Sequence, residues 1–125
     1  MWVVEEIPNQ DKLFYRIHKN SYKKGKLLPG IFREIVDGMS TDWEKYSTPV
    51  DSVNRARASN PRDNGILGLN TGEVREIGLT VIHNPSKDNR SHTLVRGTSK
   101  KIQDDPDVRR RLLGISEILI LPENL

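Results

Sequence analysis

The chain contains no cysteine. That removes disulfides, thiolate metal sites and cysteine nucleophiles together, and it fits a reducing compartment. Aromatic residues make up 6% and apolar residues 34% of the chain, so the expected core is small. No apolar run approaches the ~20 residues needed to span a bilayer. The opening Met1-Trp2-Val3-Val4 passes directly into Glu5-Glu6, unlike the basic start and apolar centre of a signal peptide. A cytoplasmic chain with no membrane partner is therefore expected. Metal-ligand spacings such as HExxH or HxH are lacking, and a set built from His18, His83, His92 and Asp88 has no tight spacing to support it. No metal and no cofactor are expected. Internal repeats, low-complexity tracts and long linkers are missing too.

What is present bounds the rest. A length of 125 residues fits one domain spanning 1–125. Nine glycines and seven prolines imply many turns and short elements. Twenty Lys and Arg against seventeen Asp and Glu leave a formal charge of +3, mildly basic and permissive of an anionic partner. Strands are expected over KLFYRIH (12–18), GILGLN (65–70), the two arms of 79–97 and EILILP (117–122), the last buried on both faces. Thr48-Pro49-Val50-Asp51 reads as a helix start running to about Ala58, with Asn54 and Arg55 outward. A short helix from Thr71 should end at Gly78, and Asp105 should cap a helix with Val108 and Leu112 inward. In the segment 39–49, Ser40, Thr41, Ser47 and Thr48 read as capping hydroxyls, and Trp43 and Tyr46, three apart, cover the core on one side of a helical turn. Strands and short helices without a βαβ rhythm predict an α+β domain: a mixed or antiparallel sheet with two or three short helices packed on it.

Candidate functional residues gather on three stretches. In LTVIHNPSKDNRSHTLVRG (79–97), pairing His83 with His92 in a hairpin places two imidazoles, candidates for acid–base catalysis, at the loop end of one face and Arg96 along it. On the first strand Leu13, Tyr15 and Ile17 face the core, while Phe14, Arg16 and His18 share the other side. A guanidinium and an imidazole two residues apart suit an anion. Lys23, Lys24 and Lys26 beside Tyr22, and Arg109, Arg110 and Arg111 on the last helix, are basic clusters suited to nucleic-acid phosphates, or to a solvated surface and a helix C-terminus.

The order YRIH, then STDW followed by STP, then IHNP with NxxHxLVxG, resembles a group of small, largely uncharacterised bacterial proteins over about residues 13–113. That likeness brings no activity with it. An early-strand Arg followed by a hydroxyl-bearing segment is also loosely similar to ADP-ribosyltransferase-like and RES-type NAD-consuming toxins. It implies that Arg16 holds dinucleotide phosphates and that Ser40 belongs to the second motif. The chain departs from those families at the late strand, where no Glu or Gln stands two residues before Glu117.

Three functional readings follow. The leading one is a basic module that binds an anionic ligand, a nucleotide, nucleic acid or phosphate-bearing group, through Arg16, His18, Arg96 and Ser40. The second is an enzyme that uses the same cluster on a phosphodiester or on NAD. The third is an interaction subunit serving a partner protein. All site-based readings require Arg16 or His18 to lie close to the two hairpin histidines.

Overall fold

The computed structural model describes residues 1–123 and 125. The chain folds as a small α+β domain around a six-stranded sheet. Strands β1 (Lys12–His18), β2 (Tyr22–Lys23), β3 (Lys26–Leu27), β4 (Met39–Trp43), β5 (Asn64–Asn70), β6 (Thr80–His83), β7 (His92–Arg96) and β8 (Glu117–Ile120) are joined by helices α1 (Pro49–Asn54), α2 (Thr71–Glu76) and α3 (Pro106–Ile115). The large sheet has the order β6-β7-β4-β1-β5-β8, and β2 and β3 form a separate hairpin. Every pairing is antiparallel.

The sheet divides its residues by number. Leu13, Ile17, Met39, Trp43, Leu67, Leu69 and Val95 lie on the face that carries the main core, against Val74 of α2, Leu112 of α3, Ile102 and Phe32. The alternate positions, among them Phe14, Arg16, Ser40, Asp42 and His92, point to the opposite face, because successive side chains of a strand alternate. That second face is covered by α1, which packs on β1, β5 and β8.

Local chemistry explains the helices. Thr48 and Asp51 form a reciprocal capping box with Pro49 in the first turn, Asn70 caps α2, and Asp105 caps α3. Helix α1 stops at Asn54 rather than near Ala58, since Arg55 already acts as the C-cap. Gly78 takes φ +103° after α2, a left-handed terminus that glycine adopts without penalty. At Gly68 the side chain of Leu119 comes so close that an added Cβ would lie 2.9 Å from it.

Three expectations are corrected. The capping role of Ser40 and Thr41 gives way to β4, an inner strand whose alternation Met39-Thr41-Trp43 is masked by short polar residues, while the turn from Trp43 to Tyr46 stands, Tyr46 N–H donating to the Trp43 carbonyl at 3.1 Å. β8 is an edge strand with Ile118 53% exposed, not a strand buried on both faces, because nothing pairs beyond it. The hairpin register is displaced by one residue: His83 pairs with Thr93 and Ile82 with Leu94, so His92 faces Asn84 instead. A one-residue slip sends a side chain to the other face of the sheet. His83 and His92 therefore lie on opposite sides.

Two predictions concern stability. A methyl group at Gly65 would meet the Ile120 carbonyl oxygen at 2.5 Å, whereas at Gly68 it meets only the flexible end of Leu119. Gly65→Ala should cost roughly 1–3 kcal/mol in denaturant unfolding and Gly68→Ala less; equal costs would contradict this packing. Burial pushes the Tyr15 phenol up to about 12, against a lowering influence of the Arg33 backbone and charge; the hydroxyl donates to the Ile31 carbonyl at 2.6 Å and the ring stacks on Phe32. The folded state thus holds a proton that the unfolded chain gives up from about pH 10. Stability should fall as pH rises from about 10 to about 12, and Tyr15→Phe should flatten that slope in pH-dependent denaturation.

Candidate functional site

Strands β1 and β4 are paired only at Leu13↔Trp43 and Phe14↔Asp42. Beyond that point β1 continues with β5 as far as His18↔Asn64, while β4 follows β7 back to Met39↔Val95. The middle of the sheet therefore parts, and a cleft of about 790 Å³ opens where the two strands diverge. Arg16 stands on one wall and Ser40 and Asp42 on the other, with Phe14 in the floor. The rim comes from three connections: Arg33 and Ile35 before β4, Asn54, Arg55 and Arg57 at the end of α1, and Ser86, Asp88 and Asn89 in the β6–β7 loop.

One buried carboxylate ties these parts together. Asp42, 7% exposed, accepts from Arg55 Nη1 at 3.1 Å and from Asn89 Nδ2 at 2.8 Å. Arg55 also donates to Ser47 Oγ at 2.8 Å, and Ser47 Oγ lies 2.8 Å from Ser52 Oγ inside the capped turn of α1. Asn89 in turn accepts from the backbone N–H of Ser91 at 3.1 Å. Helix, strand and hairpin loop thus share one polar network whose centre is Asp42.

Arginine dominates the charged residues of the cleft. Arg16, Arg33, Arg55 and Arg57 are among its lining, against Asp42 and Asp88. Asp42 is engaged by Arg55, and Asp88 lies 4.0 Å from Arg57 in an exposed pair that contributes little. Arg16 donates to the Ser52 carbonyl at 2.8 Å, and among the described residues neither it nor Arg33 has an ion-pair partner. The Arg16 guanidinium is held below its usual range, chiefly by desolvation and also by Arg55, with Asp42 opposing the shift. Arg16 is nevertheless an exposed residue, open to an anion in the cleft.

On the β4 wall, His92 bridges two strands. Its Nδ1 lies 2.9 Å from the Asn84 carbonyl oxygen, which can only accept, and 3.4 Å from the Asn84 side-chain nitrogen; the shorter contact favours a proton on Nδ1. Nε2 is left as the acceptor for the Ser40 hydroxyl at 3.2 Å.

The expected residues divide accordingly. Arg16, Ser40 and His92 meet in the cleft. His83 does not: it is 2% exposed on the core side, its Nδ1 accepts from the Glu5 N–H at 2.9 Å, and its Nε2 donates to the Arg90 carbonyl at 2.7 Å. Packed against Trp43 at 5.1 Å and with both nitrogens satisfied, His83 pins the N-terminal segment to the hairpin and has no catalytic access. The expected pairing of two imidazoles in one site is thereby overturned. His18 caps the turn after β1 by accepting from Asn20 N–H at 3.1 Å, away from the cleft lining. Arg96 Nε donates to the Asp37 carbonyl, likewise outside the lining. Lys23, Lys24 and Lys26 sit on the β2–β3 hairpin, where Lys24 and Gly25 both take positive φ in a tight turn. On α3, Arg110 and Arg111 pair with Asp107 at 3.6 and 3.1 Å, and Arg109 packs by Gly30. Ser40 is not a cap; the capping hydroxyl is Thr48.

Sequence reasoning missed Arg33, Asp42, Arg55, Arg57 and Asn89. One signal was available: reading 39–43 as a strand puts Ser40 and Asp42 on one face by alternation. Arg55 carried no such signal, since helical position alone sends it outward. Comparison of the chain with protein-family models, curated proteins and solved structures gives no match. No helix among the described residues is long and apolar enough to cross a membrane.

The network predicts its own fragility. Asp42→Ala leaves the partly buried Arg55 and the Asn89 amide without their acceptor and should cost roughly 2–4 kcal/mol in denaturant unfolding. Asp42→Ala combined with Arg55→Ala should cost less than the two changes summed; strict additivity would mean that the pair is not coupled.

Proposed function

We propose that this protein binds a phosphate-bearing ligand of nucleotide size in the cleft between β1 and β4. The observation that carries the reading is the charge balance there. Four arginines and two aspartates line one concave surface; Arg55 is paired with the buried Asp42 and Arg57 with Asp88, which leaves Arg16 and Arg33 without a carboxylate among the described residues. A volume of about 790 Å³ lies within the ~300–1,000 Å³ of small-molecule sites. Arg16 and Arg33 supply planar donors matched to phosphate oxygens, and Ser40, Asn54 and Asn89 supply neutral polar groups for orientation.

Phosphodiester cleavage by paired imidazoles is the weaker reading, because His83 is committed to the core side. The toxin-like likeness is supported to the extent that Arg16 and Ser40 face one cleft from neighbouring strands. No glutamate is among the described residues lining it, and Glu117 pairs with Lys12 at 3.3 Å on the edge strand. Ligand binding therefore stands ahead of NAD consumption. The lysine hairpin and the α3 arginines lie outside the cleft, which favours a small ligand over a nucleic-acid track.

The test is calorimetric titration with a nucleoside diphosphate and with its unphosphorylated nucleoside at low salt. The diphosphate should bind in the micromolar to millimolar range and weaken as salt rises. Arg16→Ala and Arg33→Ala should each lower affinity ~10-fold or more, while Lys23→Ala should leave it unchanged. Equal binding of the nucleoside, or indifference to both arginine variants, would remove the proposal.

A further inference from the structure

We infer that Ser40 and His92 form a nucleophile–base pair, which makes the cleft a hydrolase site for carboxylic esters that carry a phosphate group. The choice of substrate class rests on the anion-binding reading above; the pair itself rests on separate geometry. Ser40 and His92 occupy adjacent strands on one face, set diagonally because Ser40 pairs with Leu94 and Asp42 with His92. Ser40 Oγ is 3.2 Å from His92 Nε2, at the outer limit of nucleophile–base contact in a site without substrate. The second requirement is an orienting partner for the base, and here the Asn84 carbonyl at 2.9 Å from Nδ1 provides it. That contact, shorter than the 3.4 Å from Nδ1 to the Asn84 side-chain nitrogen, favours the tautomer whose Nε2 lone pair faces the serine. Ser40 is exposed to the cleft rather than consumed in a cap or buried in the core, unlike Thr41, which donates to the Thr93 carbonyl at 3.1 Å.

The reaction balances without a metal or redox partner. Ser40 Oγ attacks the ester carbonyl carbon, and its proton passes to His92 Nε2. The resulting oxyanion forms within the positive field of the cleft guanidiniums. When the tetrahedral intermediate collapses, the carbon–oxygen bond to the alcohol breaks and His92 returns the proton to the departing oxygen. Water then attacks the acyl-serine, giving its proton to His92, and release of the carboxylic acid restores the Ser40 hydroxyl. Ester and water are consumed; acid and alcohol are formed.

The test exploits two features of the chain. Incubation with an uncharged dialkyl fluorophosphate, followed by peptide mass spectrometry, reads the serine directly: Ser40 Oγ displaces fluoride and gains the phosphoryl group. A single adduct at Ser40, lost in Ser40→Ala and slowed ~100-fold or more in His92→Ala, is expected. Since the chain has no cysteine, Ser40→Cys introduces a unique thiol whose alkylation by iodoacetamide reports the same activation. That alkylation should slow when His92→Ala is added, provided circular dichroism shows both variants folded. No adduct at Ser40, an adduct at other serines at an equal rate, or indifference of both reactions to His92→Ala would overturn the pair. Nucleoside diphosphate binding without labelling would leave the binding reading and remove the dyad. Labelling without diphosphate binding would leave the dyad and remove the phosphate-bearing substrate class.

Discussion

The buried carboxylate of Asp42 is the constraint on which the functional face of this protein depends. An ionised group that is 7% exposed is costly to desolvate, and it is tolerated here because Arg55 and Asn89 both donate to it. Those donors come from the end of α1 and from the β6–β7 loop, two segments far apart in the chain. Satisfying Asp42 therefore obliges both segments to approach β4 from different sides. The cleft is what lies between them once they have done so.

The parting of β1 from β4 is the second half of the same geometry. After two paired residues the strands separate, each kept straight by a continuous partner on its other side, β5 for one and β7 for the other. The main core beneath does not open with them. Leu13, Met39, Trp43 and Leu69 remain fully buried on the opposite face, so the sheet can split on one side without exposing apolar area on the other. Opposite His92, across the thickness of the sheet, His83 is satisfied between Glu5 and Arg90. Two residues of one type in one hairpin thus do unrelated work, one in packing and one in the cleft.

The basic character of the chain is likewise unevenly used. On α3, Arg110 and Arg111 meet Asp107 within the same helix, and Lys45 meets Glu5 at 2.6 Å while lying over the Trp43 and Tyr46 rings. The α3 pairs quench charge where it is dense in sequence. In the cleft the four arginines come from three segments, β1, the stretch before β4 and the end of α1, and only Arg55 and Arg57 meet carboxylates there, those of Asp42 and Asp88. The most concentrated basic runs in the sequence consequently do not line the cleft.

Much of the architecture was legible before any coordinates. Thr48, Asp105 and Gly78 mark helix ends through chemistry confined to a few neighbouring residues, and KLFYRIH shows its two faces by simple alternation. Gly68 in the middle of a strand announced the close approach that Leu119 makes. The α+β class followed from the same local signals, though these left a mixed sheet open beside an antiparallel one, and so did the shared second face of Phe14 and Arg16. What only the tertiary structure decided was register and convergence. A one-residue shift in the hairpin separates His83 from His92, and it depends on a loop whose turn at Ser86–Asn89 has no dominant local preference. The meeting of Arg16, Arg33, Asp42, Arg55 and Asn89 depends on long-range pairing, in which the cost of burying Asp42 is offset by donors up to 47 residues away. Alternation and capping are properties of adjacent residues and can be read from them; shared desolvation exists only once distant segments have excluded water together.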